Sequence, residues 1–393
     1  LTLADARALA LQNNPTLKSA DAEWRATQGA VQQARSLINP SIGVRREDFG
    51  GSSPPIERAE QDTLELSQTI RTGGKRSAEI EAARWASEVS LQDLGRRRLD
   101  LLADVDRRFA ELLGAQDRCQ IASENAETAQ EMVAAVAALV EAGETSPIEV
   151  SRTENERDLA EIDRQAALRN RDLARRQLAS LLGQAEPGFQ QADGSLVQEV
   201  VVPAESDFTI ALGRLPDLTR WDDENRRLEA SLKLAQRTPW PDLTLSAGVR
   251  RYAETQERAY LVGISIPIPI FSRGRGAVIE ASSRLDQGRL QREAEEMRLK
   301  TTFASIRLML EQSASEVQRL RDRVVPNAQQ IYDALSEGYR RGKFRLLDLL
   351  EARRSLASTR LRYVDALVRL NLAKADLDRL SVAGSSITDG VAP

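Results

Sequence analysis

The sequence contains no histidine and a single cysteine, Cys119. Histidine is the commonest imidazole base and metal ligand, so its absence argues against most hydrolase and metal-site chemistry. One cysteine excludes a disulfide within the chain, and Cys119 reads as a small buried hydrophobe. Aromatics make up only 4% of 393 residues while charged residues reach 29%, a balance suited to long packed helices rather than a compact enzyme. No run approaches the ~18–20 apolar residues of a membrane-spanning helix. That excludes a helical membrane protein but not a β-barrel, whose strands are short and alternating. The net charge of -4 argues against a broad nucleic-acid surface. There is no P-loop, no G-x-S-x-G and no metal-ligand cluster, so no catalytic residue, cofactor or metal site is expected.

What the chain does have is a repeat. Glu141-Ala142-Gly143-Glu144-Thr145-Ser146-Pro147-Ile148-Glu149-Val150 is answered by Arg340-Arg341-Gly342-Lys343-Phe344-Arg345-Leu346-Leu347-Asp348-Leu349. Each copy is a glycine stop followed by an apolar-acidic-apolar restart. Pro15 answers Pro216, Pro40 answers Pro241, and Gly43-Val44-Arg45-Arg46 recurs as Gly248-Val249-Arg250-Arg251. Two copies of one unit imply a pseudo-symmetric architecture. The first repeat spans 1–182, with strands at about 41–47 and 63–71, a long helix at about 75–142 and a turn at 143–147. A connector at 183–207 reads as the hinge. The second repeat spans 208–382, with strands at about 242–250 and 260–268, a long helix at about 275–341 and a turn at 342–345. The tail 383–393 reads as disordered.

Local patterns support these assignments. No proline falls between Lys75 and Glu141, and at ~1.5 Å per residue that helix reaches ~100 Å. Ala115, Cys119, Ala122, Ala126, Ala129, Val133, Val136 and Val140 alternate steps of four and three, a coiled-coil seam of small residues. The register shifts beside Gly114. Gly143 reads as a C-cap, and Ser146-Pro147-Ile148-Glu149 has capping-box spacing with proline at the first helical position. Leu64, Leu66 and Ile70 alternate with Glu65, Ser67 and Thr69; Val262, Ile264 and Ile266 alternate with Gly263 and Ser265. Four such strands cannot close a barrel alone, and an open sheet leaves exposed edges. Oligomerisation resolves this, and a soluble sheet packed on the helices is the competing reading.

With these features the chain resembles the TolC family of outer-membrane channel proteins over about residues 1–380. Leu1-Thr2-Leu3-Ala4-Asp5-Ala6 and Ile268-Pro269-Ile270-Phe271 before Arg273-Gly274 are similar to the heavy-metal efflux branch of that family, the CzcC- and CusC-like members. The resemblance implies a mostly α fold with a small β part: a homotrimer with a twelve-stranded transmembrane barrel in the outer-membrane lipid of a Gram-negative bacterium. An α-helical barrel would then cross the periplasm. It implies a passive efflux conduit, gated at its periplasmic tip, that works with a periplasmic adaptor (membrane fusion protein) and an inner-membrane RND-type pump. Carried over, Asp348 and Glu351 are the gate acids, and Tyr339 and Arg345 the latch candidates. Gly143, Ser146, Pro147 and Gly342 are the tip-turn and adaptor-contact candidates. From the residues alone Asp348 is equally a helix-start acid. Drug efflux and type I secretion stay open as cargo classes, and a soluble coiled-coil scaffold or adaptor is the alternative of another kind.

Overall fold

The computed structural model describes residues 1–49 and 60–381. The Gly/Pro-rich loop 50–55 and the tail 383–393 lie outside them. In chain order the elements are α1 (Leu3–Asn13), α2 (Pro15–Arg35), β1 (Ser41–Glu47), β2 (Gln61–Ile70), α3 (Lys75–Glu141) and α4 (Pro147–Leu181). There follow α5 (Glu205–Leu212), α6 (Pro216–Arg237), β3 (Leu243–Tyr252), β4 (Arg258–Ser265), α7 (Arg275–Arg319), a π-turn (Leu320–Val324), α8 (Val325–Arg340) and α9 (Leu346–Ser381).

Local chemistry explains most boundaries. Thr2 and Asp5 form a reciprocal capping box at the start of α1. The Asn14 side-chain oxygen accepts from the Thr16 and Leu17 N–H groups and so opens α2. The box expected at Ser146 and Glu149 does not form. Ser146 makes no side-chain cap bond, the Glu149 N–H goes to the Ser146 carbonyl, and the Glu149 carboxylate takes Arg152. The second long helix is also not continuous as expected. Pro326 has no N–H, and its ring crowds the carbonyl four residues back. The five-residue π-turn immediately before it absorbs that misfit. Strand β4 ends at Ser265, short of the expected 268, and Pro267 and Pro269 keep the following residues from pairing.

The chain divides into two compact units, and each draws elements from both sequence repeats. The first contains, among the described residues, 1–20, 95–216 and 297–381, and is helical. Val105, Phe109 and Leu112 of α3, Leu178 of α4, and Leu367 and Leu370 of α9 are buried in it. Gly114 does not break α3. A Cβ there would lie 2.3 Å from Val368 Cγ2, so glycine is what lets α3 and α9 approach. Arg118 pairs with Asp365 at 2.7 Å and Arg379 with Asp100 at 2.8 Å, also between α3 and α9. Along the α3 seam Ala115, Cys119, Ala129 and Val136 are buried. The connector is strapped down rather than free: the Gln116 amide exchanges two hydrogen bonds with the Ala192 backbone, and the Asn371 amide does the same with Val197.

The second unit contains residues 21–94 and 217–296. Its strands form one antiparallel sheet in the order β1-β2-β3-β4. The register stacks Ile42, Leu66, Ala247 and Val262 in one cross-strand row and Val44, Leu64, Val249 and Tyr260 in the next. The row beyond is charged: Arg46, Asp62, Arg251 and Arg258. The opposite face carries Ser41, Ser67, Ser246 and Gly263 in one row, with Ser41 and Ser67 hydroxyls 2.7 Å apart. Helices α2 and α6 and the ends of α3 and α7 complete this unit, where Arg220 pairs with Asp93 at 2.7 Å and Arg226 lies over the Trp85 ring.

Candidate functional site

The sheet is inside-out for a soluble protein. Its apolar face is the exposed one: Val44 is 80%, Tyr260 83% and Val262 87% accessible, with Ile42 and Ile264 similar. Its polar face is the more sheltered. Scattered exposed apolar residues are ordinary, but a contiguous band demands an apolar neighbour. Ten residues of β2 at about 3.4 Å each reach about 34 Å. Tilted by about 40°, such strands cross a lipid-facing band about 25 Å tall. The charged row at Arg46, Asp62, Arg251 and Arg258 ends the band where a headgroup layer would begin. No helix of the described residues is long and apolar enough to cross a membrane.

The two glycine turns lie in the helical unit and have the same geometry. Gly143 and Gly342 both hold positive φ, +74° and +69°. Glu144 N–H donates to the Leu139 carbonyl and Gly143 N–H to Val140; Lys343 donates to Gly338 and Gly342 to Tyr339. Both are Schellman stops, for which only glycine is free of strain. The turns are tied together by an apolar cluster of Val136, Leu346 and Leu350, against which Met132, Val150 and Tyr339 pack. Burial, and then the Glu149 charge, push the Tyr339 phenol up from its ordinary value. The Phe344 ring sits over Gly338, where a Cβ would lie 2.3 Å from Cδ2.

The predicted gate residues separate into two groups. Asp348 is half-buried, and its carboxylate accepts from the Arg345 N–H at 3.2 Å and from the Arg345 guanidinium at 3.4 Å. It therefore does serve the start of α9. Glu351, three residues on and on the same helix face, is exposed. Arg345 is 81% exposed in its side chain and pairs with Asp348. Tyr339 instead belongs to the cluster between the two hairpins. Ser146, Pro147, Gly143 and Gly342 stand exposed at the turns.

One ionic site was missed by sequence reasoning. Glu156 of α4 accepts from Arg353 at 3.3 Å and from Arg354 Nε at 3.0 Å, both on α9. Glu156 is only 10% and Arg353 6% exposed in their side chains. The Arg354 hydrogen bond first, with help from Arg353, holds the Glu156 carboxyl below its ordinary range. The partners lie 197 and 198 residues apart, so no local spacing announces them.

The Outer membrane efflux protein family model matches residues 6–184 and 209–381. The chain belongs to that family. Among its relatives, the cobalt-zinc-cadmium resistance protein CzcC of Cupriavidus metallidurans is 31% identical over 97% of this chain and 90% of that protein. The nickel and cobalt resistance protein CnrC of the same organism is 28% identical, over 70% of this chain and 67% of that protein. Among solved structures, CusC superposes with a TM-score of 0.81 at 17% identity, covering 96% of this chain and 91% of that one. The channel is thus an outer-membrane protein extending into the periplasm, a conduit and not an enzyme. Channels of this family are trimers that work within tripartite pumps.

Proposed function

We propose that this efflux channel exports heavy-metal cations. The observation that carries the reading is the 31% identity to CzcC, a cobalt-zinc-cadmium resistance protein, along 97% of the chain. Three four-stranded sheets close a twelve-stranded barrel with their apolar faces to lipid, and the polar face lines the lumen. Asp348 and Glu351 ring the pore at the tip, and Tyr339, packed against Val136 of α3 and Leu346 of α9, and Arg345, paired with Asp348, hold that tip narrow. The turns at Gly143, Ser146, Pro147 and Gly342 meet a periplasmic adaptor, which links the channel to an inner-membrane RND-type pump. A conduit gains nothing from tight binding of its cargo, and among the described residues no cluster of three or more metal-ligating side chains occurs. The test is loss of the gene in its own host, with growth scored in cobalt, zinc and cadmium and in organic toxicants. Sensitivity to the metals, restored by the intact gene, is expected; sensitivity confined to organic compounds overturns the cargo assignment.

The gate has its own expected outcome. In planar bilayers, replacing both Asp348 and Glu351 by alanine lowers cation selectivity severalfold and weakens block by multivalent cations, because the pore loses a ring of like charges. Glu149, already bonded to Arg152 at the other turn, serves as control: Glu149→Ala leaves selectivity near the wild-type value. Unchanged selectivity in the double variant would return Asp348 to a helix-capping role alone.

A further inference from the structure

Where the strands of the sheet meet the helices, one collar gathers the ends of α2, α3, α6 and α7. The Arg76 guanidinium donates to the Arg35 carbonyl at 2.5 Å, Arg237 to the Gly74 carbonyl at 2.8 Å, and the Lys75 ammonium to the Trp240 carbonyl at 2.8 Å. A Cβ at Gly73 would lie 2.6 Å from Trp240 Cβ, and one at Gly274 2.9 Å from Pro239 Cγ. The link from α6 to β3 therefore touches the turns that open α3 and α7. All of these residues belong to the second compact unit.

The collar is both apolar and basic, and the chain answers neither property. Trp240 is 62% and Phe271 99% exposed, and Leu37, Ile268 and Ile270 are exposed as well. Residues 35–41, 71–79, 237–242 and 266–278 hold seven basic side chains and two acidic ones. Both acids are taken, Asp242 by Lys75 at 2.5 Å and Glu79 by Arg71. That leaves Arg35, Arg76, Arg237, Arg273 and Arg275, none with a carboxylate partner among the described residues. Further along the helices Glu81 and Glu280 are matched by Lys233 and Arg284, so they bring no surplus of negative charge. At the loop end of the same sheet positive charge is matched more closely: Arg46 meets Glu60 and Asp62, and Arg45 and Arg250 share Glu47.

Height along the strands says what can answer the collar. The ten residues of β3, tilted by about 40°, rise about 26 Å. A lipid-facing band is about 25 Å tall. When the row of Arg46, Asp62, Arg251 and Arg258 stands in one headgroup layer, the collar therefore stands in the other. Exposed tryptophan suits that layer, being apolar in body and polar at one edge. Arginines there attract lipids of negative charge.

We propose that the collar is a binding surface for anionic phospholipid. Trp240 and Phe271 seat at the boundary of headgroup and acyl chain, and Arg35, Arg273 and Arg275 hold the headgroups. The inference rests on the lipid-facing reading of the sheet and adds the class of lipid that gathers at its helix end.

The test uses the purified trimer in phosphatidylcholine vesicles. A minor share of the lipid is brominated on the acyl chains close to the headgroup, as either phosphatidylcholine or phosphatidylglycerol. Bromine quenches tryptophan on contact, and Trp240→Phe identifies the part of the emission that comes from the collar. At equal mole fraction, brominated phosphatidylglycerol should quench Trp240 at least about threefold more strongly than brominated phosphatidylcholine. Added salt should shrink that preference, because it screens exposed charge. The triple variant Arg35→Gln, Arg273→Gln, Arg275→Gln should abolish most of it; these three side chains make no bond within the described residues. Equal quenching by the two lipids in wild type, or a preference untouched by the triple variant, overturns the proposal. Quenching of Trp240 by neither lipid overturns the lipid-facing reading of the sheet as well. Should the triple variant fail to assemble, Arg273→Gln alone, expected to lose part of the preference, decides together with the salt response.

Discussion

Val262→Arg is expected to prevent stable assembly in the outer membrane. Val262 is 87% exposed at the centre of the apolar face, in register with Ala247 and, through it, Leu66 and Ile42. An arginine on the lipid face costs about 2–4 kcal/mol near mid-membrane, and a trimer carries that cost in every subunit. The measurement is the yield of heat-resistant trimer from outer-membrane fractions. Ser246→Arg, on the opposite face against Gly263, is the control and should assemble, because a lumen charge stays hydrated. Equal yields from both would remove the lipid assignment of this face.

The second large effect is expected at Glu156. Glu156→Ala leaves the buried Arg353 without its carboxylate, and breaking a buried pair costs about 3–5 kcal/mol, toward the lower figure here because Arg354 reaches solvent. Hydrogen exchange should show faster opening of α4 around Thr153–Ala160 and of α9 around Leu350–Leu356, with the sheet unaffected. Glu156→Gln keeps a hydrogen-bond acceptor and should lose less. The same pair sets a pH dependence. The folded-state pKa of Glu156 lies below its ordinary 4.5, so its stabilisation is complete above about that pH and is lost as pH falls through the lower folded value. Glu156→Gln should flatten that acid limb. An unchanged acid limb would mean that other carboxylates carry it.

Much of the architecture is legible in the sequence. The mostly helical class with four antiparallel strands followed from two periods, seven-residue seams and strict alternation, because helix and strand repeat their side-chain directions at fixed intervals. The resemblance to the family was carried by the repeat of turns and prolines together with the two strand pairs. The gate residues were legible only in part. Asp348 could be placed on a helix start, but its bond to Arg345 and the packing of Tyr339 against Val136 and Leu346 needed neighbours distant in the chain. The capping box at Ser146 was misread because spacing does not say which partner wins: Arg152, one turn along α4, holds the Glu149 carboxylate. The π-turn carried a signal in Pro326, but proline alone does not say whether a helix kinks, stops or widens.

The sequence by itself determined the elements: where glycine must stop a helix, which strand faces are apolar, and that no histidine exists to ligate or to act as a base. The tertiary structure decided what those elements meet. It drew each compact unit from both repeats, turned the apolar sheet face outward, and let α9 reach α3 through Gly114. It also set Arg353 against Glu156 across 197 residues. The physical reason is range. Backbone preference and side-chain period act within a turn or two of chain, whereas burial and charge pairing depend on which surfaces are brought together in space.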